Sequence, residues 1–277
     1  MTETNEKQGP RTGEAPPADL TVRYGPHPDQ VADVRFPRSA AAGEPAPLVL
    51  LWHGGFWRAR HDRGYLEPVV ADLVGRGFAV ANVEYRRVGG GGGWPATLVD
   101  AAAAAEGVPR LVEREAPGLV DRDRTVYVGH SAGGHLAVWV TLRDRLAEGG
   151  PGRGTAPRVL GVVALAPVLD LAGAHRLGLG ERAVQELMGG GPDDVADRYE
   201  HADPSLLGAP GTPVVLVHGD RDVRVPVEES RRYAAAHAAR LVEVPGADHF
   251  AVVTPGSSAW PPVVDALRTL TGAIPPR

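Results

Sequence analysis

Six short apolar runs, at residues 48–52, 78–83, 125–128, 159–165, 214–217 and 240–244, recur along this chain with helix-like stretches between them. Most are apolar throughout rather than alternating with polar residues. That is the pattern of parallel strands covered on both faces. The intervening stretches, at 65–75, 95–106, 134–146 and 227–239, repeat apolar residues at helical spacing, and Pro226 suits the first turn of the last one. Strand–helix alternation of this kind predicts an α/β architecture: a mostly parallel, doubly wound sheet in a single domain over 19–277. A chain of 277 residues is long enough for the core such a domain needs.

Two segments depart from the rhythm. Residues 20–24 and 31–36 alternate apolar and polar with turn residues between, which predicts an antiparallel hairpin at a sheet edge. A Pro/Ala/Gly linker, 37–47, follows it, and a polar, Pro-containing stretch, 1–18, reads as a disordered leader. The second departure is 170–207, where no strand is expected. A long connection in a compact domain is often functional, and this one is placed as a short lid over a site.

Charge narrows the function classes. With 29 Lys+Arg against 34 Asp+Glu the formal net charge is -5, which gives no electrostatic reason to expect nucleic acid or an anionic membrane as partner. The absence of cysteine excludes disulfides, thiolate nucleophiles and cysteine-based metal sites. There is no H-E-x-x-H and no cysteine cluster, so a metal hydrolase is disfavoured, and the serine chemistry read below is expected to need no cofactor. No apolar run approaches the roughly 20 residues of a membrane span, and the N-terminus lacks a signal-peptide h-region. The expectation is a cytoplasmic enzyme acting on a small molecule.

The chemistry starts at Gly129-His130-Ser131-Ala132-Gly133, a G-x-S-x-G pentapeptide between the run 125–128 and a helical stretch. In that context the serine stands on a sharp strand-to-helix turn with its hydroxyl presented outward. A serine needs a base, and the base an orienting acid. After the run 214–217 comes His218-Gly219-Asp220-Arg221-Asp222, and after the run 240–244 comes Asp248-His249-Phe250. The order Ser, Asp, His is therefore met at strand ends, which a parallel sheet gathers on one edge. His249 is the candidate base. Asp220 and Asp222 both qualify as the acid; Asp220 could instead brace its loop, and Asp248 reads as a turn residue. His130 and His135 adjoin the serine, and either could line a pocket.

Attack on a carbonyl also needs donors for the oxyanion. One should be the N–H of Ala132, the residue after the nucleophile, and the others should come from a loop that brings backbone close. His53-Gly54-Gly55-Phe56-Trp57, just after the run 48–52, fits that loop.

At these residues the chain resembles a known family. His53-Gly54-Gly55-Phe56-Trp57 is similar to the H-G-G-x-W motif of kynurenine formamidases (arylformamidases) and their esterase relatives in the α/β-hydrolase superfamily. So are Asn82-Val83-Glu84-Tyr85-Arg86-Arg87, Trp94-Pro95-Ala96, the stretch around Ser131 and that around Asp222. The resemblance runs in order over about residues 20 to 270. It implies an α/β-hydrolase fold with Ser131 as nucleophile, Asp222 as acid and His249 as base. It also implies an oxyanion hole from the N–H groups of Gly55, Phe56 and Ala132. His53, Trp57, Tyr85, His130 and Phe250 adjoin these motifs and are candidates for the pocket wall. The expected reaction is cleavage of a small ester or aryl formamide through an acyl-enzyme. General carboxylesterase or feruloyl-esterase-like activity, acyl transfer, and a non-catalytic binding protein on this fold are the alternatives. The run Gly89–Gly93 is a local difference from the family.

Overall fold

In the computed structural model, which describes residues 17–41 and 43–272, the six apolar runs become six parallel strands of one sheet. In chain order the elements are β1 (Leu20–Arg23), β2 (Val31–Arg35), α1 (Arg38–Ala41), β3 (Ala46–Trp52), α2 (Glu67–Gly75), β4 (Ala79–Val83), α3 (Ala96–Glu115) and β5 (Val120–His130). Then come α4 (Ala132–Trp139), β6 (Gly161–Leu165), α5 (Leu171–Arg176), α6 (Leu179–Met188), α7 (Ala196–Ala202), β7 (Val214–Gly219), α8 (Glu228–His237), β8 (Arg240–Val244) and α9 (Trp260–Thr271). The strands lie in the order β1-β2-β4-β3-β5-β6-β7-β8. The expected hairpin is present: β1 and β2 pair antiparallel, and β2 joins β4 antiparallel.

Side-chain alternation along β3 explains why the central strands are apolar throughout. Leu48, Leu50 and Trp52 point to one face and pack with Leu98 and Val108 of α3 and Leu136 of α4. Val49 and Leu51 point to the other and pack with Val69 and Leu73 of α2 and Val263 and Leu267 of α9. Both faces are buried, so apolar residues dominate them, and a polar residue such as Asn82 of β4 is accommodated with its side-chain amide donating to Arg63 O and Glu67 Oε1. Each fully buried Leu or Val contributes about 1.5–3 kcal/mol.

Several boundaries differ from the sequence expectations, each for a physical reason. The linker 37–47 is interrupted by α1, and its last residues already belong to β3. α3 runs on to Glu115 rather than ending near 106, although Pro109 lies inside it. Pro109 cannot donate to Ala105 O; the Tyr127 hydroxyl donates to that carbonyl instead, at 3.2 Å. α4 stops at Trp139, followed by a 3-10 turn at Arg143–Arg145. α9 was not expected at all. Its Pro261-Pro262 reads as a breaker, yet proline at the first helical positions loses no hydrogen bond. The leader expected over 1–18 lies, up to residue 16, outside the described residues. Among the described residues no helix is long and apolar enough to cross a membrane.

Register brings the strand ends level. Trp52 pairs with Gly129, His130 with Leu165, Leu165 with Val217 and Gly219 with Val244. The loops after β3, β5, β7 and β8 therefore leave the same carboxyl edge. The segment 170–207 holds α5, α6, α7 and a 3-10 turn (Pro204–Leu206) but no strand. Asp170 starts it by accepting from Gly173 N at 2.6 Å. α6 opens with a left-handed turn, Gly180, Glu181 and Arg182 having φ of 57°, 55° and 65°. Such backbone costs a non-glycine residue about 1 kcal/mol or more.

Candidate active site

Ser131 sits between β5 and α4 with φ 55° and ψ −118°, a conformation L-residues rarely adopt. Its N–H donates to Leu165 O at 2.8 Å, and its carbonyl accepts from His135 N at 3.1 Å, so the turn is fixed on both sides. The flanking glycines are required by close approach. A Cβ on Gly129 would meet Gly133 O at 2.1 Å, and one on Gly133 would meet Trp52 O at 2.1 Å. Packing thus holds the serine in strained backbone at the start of a helix, where aligned peptide dipoles favour negative charge.

Two strands away, the loop after β7 builds a carboxylate site. Asp222 Oδ1 accepts from the N–H of Arg224 at 2.8 Å and of Val225 at 2.9 Å. Its Oδ2 accepts from His249 Nδ1 at 2.6 Å and from His218 Nε2 at 3.2 Å. Burial alone would raise this carboxyl's pKa, but the hydrogen bonds from His218 and His249 outweigh it and hold the group ionised well below the usual range. Asp220 does not reach His249; it is exposed and accepts from Gly246 N at 2.6 Å, bracing the loop. Asp248 takes the N–H groups of Phe250 and Ala251, as a turn residue does. His249 is 5% exposed, and its Nε2 has no hydrogen-bond partner among the described residues. The Ser131 hydroxyl has none either, so the two are not directly bonded to one another. Such contacts commonly tighten only when substrate is bound.

His218 was not singled out from the sequence. It is fully buried, with Nδ1 at 2.8 Å from Ser230 Oγ and Nε2 also donating to Val225 O at 2.9 Å. The carbonyl forces the proton onto Nε2, so the ring donates to Asp222 as well and accepts from Ser230. Its spacing of four from Asp222 was the only available signal.

The loop after β3 carries three successive left-handed residues, Gly55 (φ 101°), Phe56 (φ 52°) and Trp57 (φ 56°). Gly54 N is not free to face a ligand, because it donates to Tyr65 OH at 2.6 Å. The N–H groups of Gly55, Phe56 and Ala132 have no partner among the described residues. Tyr65 was also missed by sequence reading. Its hydroxyl lies 2.8 Å from His130 Nδ1, and His130 Nε2 lies 3.0 Å from His249 O. Since a carbonyl only accepts, Nε2 carries the proton and Tyr65 donates to Nδ1. One directed chain of hydrogen bonds thus joins the glycine loop to the His249 loop. Burial, reinforced by the neighbouring His249, pushes the His130 pKa well down and keeps the ring neutral, as this chain requires.

Of the residues expected on the pocket wall, Phe250 is half-buried, with its ring centroid 5.3 Å from that of His249. His53, Trp57 and Tyr85 instead lie beneath the loop with no exposed surface. His53 stacks on Tyr85 at 4.4 Å, its Nε2 lies 2.8 Å from Glu84 Oε1 and its Nδ1 2.8 Å from Gly54 O. Tyr85 OH donates to His53 O at 2.8 Å. Trp57 meets the ring of His135 edge-on at 5.3 Å, and His135 is fully buried. These side chains support the loop because its three left-handed residues need packing from below.

The segment 170–207 docks on the same loop. A Cβ on Gly180 would lie 2.6 Å from the Phe56 ring. Arg58 donates to both carboxylate oxygens of Glu186, at 2.7 and 2.9 Å, and to Glu181 O at 3.1 Å, gripping the left-handed turn. The Gly89–Gly93 run approaches this segment rather than Ser131: Trp94 N donates to Leu187 O at 2.7 Å.

The model of the family described as BD-FAE matches residues 33–236. Among characterised proteins, the chain is 26% identical over 244 residues to esterase LipC of Mycobacterium tuberculosis, covering 82% of this chain and 58% of LipC. It is 27% identical over 241 residues to esterase LipQ of the same organism, covering 82% and 56%. The chain thus spans less than two thirds of the length of these relatives. Among solved structures, Thermogutta terrifontis esterase 2 phosphoramylated by tabun superposes with a TM-score of 0.72 at 22% identity, over 96% of this chain and 98% of that one. A truncated carbohydrate esterase from gut microbiota gives 0.73 at 21%, over 92% and 99%. The architecture is the α/β-hydrolase fold.

Proposed function

Since the chain belongs to the BD-FAE family, we propose that it is a serine hydrolase cleaving a small carboxylic ester or aryl formamide through an acyl-enzyme. The observation that carries this reading is the pairing of a strained Ser131 with a histidine whose Nδ1 is committed to Asp222 and whose Nε2 is unengaged. Asp222 fixes the tautomer of His249, which leaves Nε2 as the acceptor for the Ser131 proton. Ser131 Oγ then attacks the carbonyl carbon. The charge that develops on its oxygen is taken by the N–H groups of Gly55, Phe56 and Ala132, each donor worth several kcal/mol in a dry site. Protonated His249 gives its proton to the leaving alcohol or arylamine, and the neutral ring activates water against the acyl-enzyme.

The esterase names of LipC and LipQ favour an ester substrate. The formamide reading rests on the His53-Gly54-Gly55-Phe56-Trp57 motif. A fluorophosphonate probe is expected to label the wild type at Ser131 and not Ser131→Ala; labelling that survives the substitution removes the nucleophile. Assay of N-formylkynurenine beside short p-nitrophenyl esters separates the substrate classes, and turnover of esters alone ends the formamidase reading.

A further inference from the structure

The half-buried side chain of Arg224 stands one ring away from His249. Its guanidinium carbon lies over the Phe250 ring, 5.1 Å from the centroid, and Phe250 in turn packs against His249. Several other buried or half-buried arginines spend their charge on carboxylates, Arg58 on Glu186, Arg63 on Asp33, Arg86 on Asp100, Arg87 on Asp29 and Arg143 on Glu106, while Arg124 and Arg198 donate to the backbone carbonyls of Thr271 and Met188. Arg224 has no carboxylate within ion-pair distance among the described residues. The neighbouring acids are occupied elsewhere, Asp222 by two histidines and two backbone N–H groups, Asp220 by Gly246 N and Asp248 by its own turn. A guanidinium lying on an aromatic face keeps its in-plane donors free, in a fork that matches a carboxylate. Beside it Val223 is 91% exposed, giving the same rim an apolar surface.

We propose that Arg224 is a specificity-determining residue that takes a carboxylate on the leaving-group side of the substrate. The side follows from the chemistry: the leaving group must lie next to the ring that protonates it, and Phe250, which flanks that ring, carries Arg224 on its face. The substrate class is then an ester or amide of an alcohol or amine that joins an apolar body to a carboxylate. This rests on the serine-hydrolase reading above and narrows it.

The test compares 3- and 4-acetoxybenzoate with the corresponding acetoxybenzamides, which lack only the charge. In the wild type the charged esters are expected to have the higher kcat/KM, chiefly through KM, and the preference is expected to shrink as salt is raised. In Arg224→Gln the charged-to-neutral ratio is expected to fall about tenfold, the scale of one lost charge-assisted hydrogen bond. Arg224→Lys keeps the charge and loses the fork, and is expected to fall between. An equal ratio in wild type and Arg224→Gln overturns the assignment. Should Arg224→Gln not fold, absence of any charge preference in the wild type at low salt overturns it too. Hydrolysis of the neutral esters by wild type and not by Ser131→Ala keeps the serine-hydrolase reading standing in either case. If no ester or formamide is cleaved, that reading falls and this one with it.

Discussion

Two buried histidine–carboxylate pairs stand on opposite sides of the strand that leads to Ser131. His249 and Asp222 meet at 2.6 Å on one side; His53 and Glu84 meet at 2.8 Å on the other. Both carboxyls are pulled below the usual range despite burial, Glu84 to about 2, with His53 and then Arg87 as the opposing causes. What differs is the second nitrogen. His53 Nδ1 is turned onto Gly54 O, and the ring is clamped on Tyr85 with no exposure. His249 keeps Nε2 unengaged among the described residues. A histidine beside a carboxylate is therefore not by itself a base. The pair whose ring is used at both nitrogens holds a loop, and the pair with one nitrogen free can move a proton.

The strongest way to break that contrast is to remove each acid isosterically. Asp222→Asn is expected to lower kcat on a p-nitrophenyl ester by about 10³- to 10⁴-fold, because the wrong histidine tautomer is then favoured. Asp220→Asn is expected to stay within about twofold, since an exposed bracing bond contributes little. Glu84→Gln should act on stability instead. It leaves the buried His53 and Arg87 and the half-buried Arg63 without their shared carboxylate, and urea unfolding is expected to lose about 3 kcal/mol. The pH dependence follows from sign. The folded pKa of Glu84, about 2, lies below its ordinary 4.5, so its contribution is whole above about pH 4.5 and is lost as pH falls toward 2. Glu84→Gln should flatten that part of the stability profile. If Glu84→Gln cost as much turnover as Asp222→Asn at unchanged stability, the distinction between the pairs would be wrong.

The two pairs were unequally legible in the sequence. Ser131, Asp222 and His249 could be placed because each follows an apolar run, and a parallel sheet gathers run ends on one edge. Separating Asp222 from Asp220 needed the loop itself, whose backbone turns Asp222 inward while Asp220 closes onto Gly246. The His53–Glu84 pair is out of reach of the sequence: Glu84 falls within the stretch Asn82–Arg87, but its partner lies 31 residues away and meets it only through β3–β4 pairing. Tyr65 was hidden for the same reason, its partner His130 being chosen by tertiary packing, whereas His218 bonds within its own loop and only its spacing of four from Asp222 points to it. Trp57 and Tyr85 went underneath the loop because a wall residue and a support residue have the same aromatic signature.

Between the pairs runs the chain from Gly54 through Tyr65 and His130 to His249 O, and it offers a smaller test. Tyr65→Phe removes the acceptor for Gly54 N and the donor to His130 at once. One buried donor left unpaired corresponds to about tenfold in rate, so kcat is expected to fall by about that factor with KM within about twofold. An equal loss in kcat and in unfolding free energy would instead mark Tyr65 as ordinary core.

The smallest expected effect probes how the structural side reaches the reaction. His53 holds the loop from below, and the segment 170–207 rests on it from above, where Gly180 lies against Phe56. Gly180→Ala meets two obstacles: φ is 57°, and the new methyl would sit 2.6 Å from the Phe56 ring. The backbone strain costs about 1–2 kcal/mol and can be met by loosening the turn that Arg58 grips. The ring contact can be met only by moving Phe56, whose N–H is a proposed oxyanion donor. The expected outcome is a modest loss of stability with a fall in kcat of about threefold on even the smallest acetate ester, roughly 0.7 kcal/mol of transition-state binding. An acetyl group is too small to touch the segment itself, so a kcat effect there must pass through the loop. If larger esters slow while acetate does not, Gly180 shapes the entrance and leaves the oxyanion donors where they were.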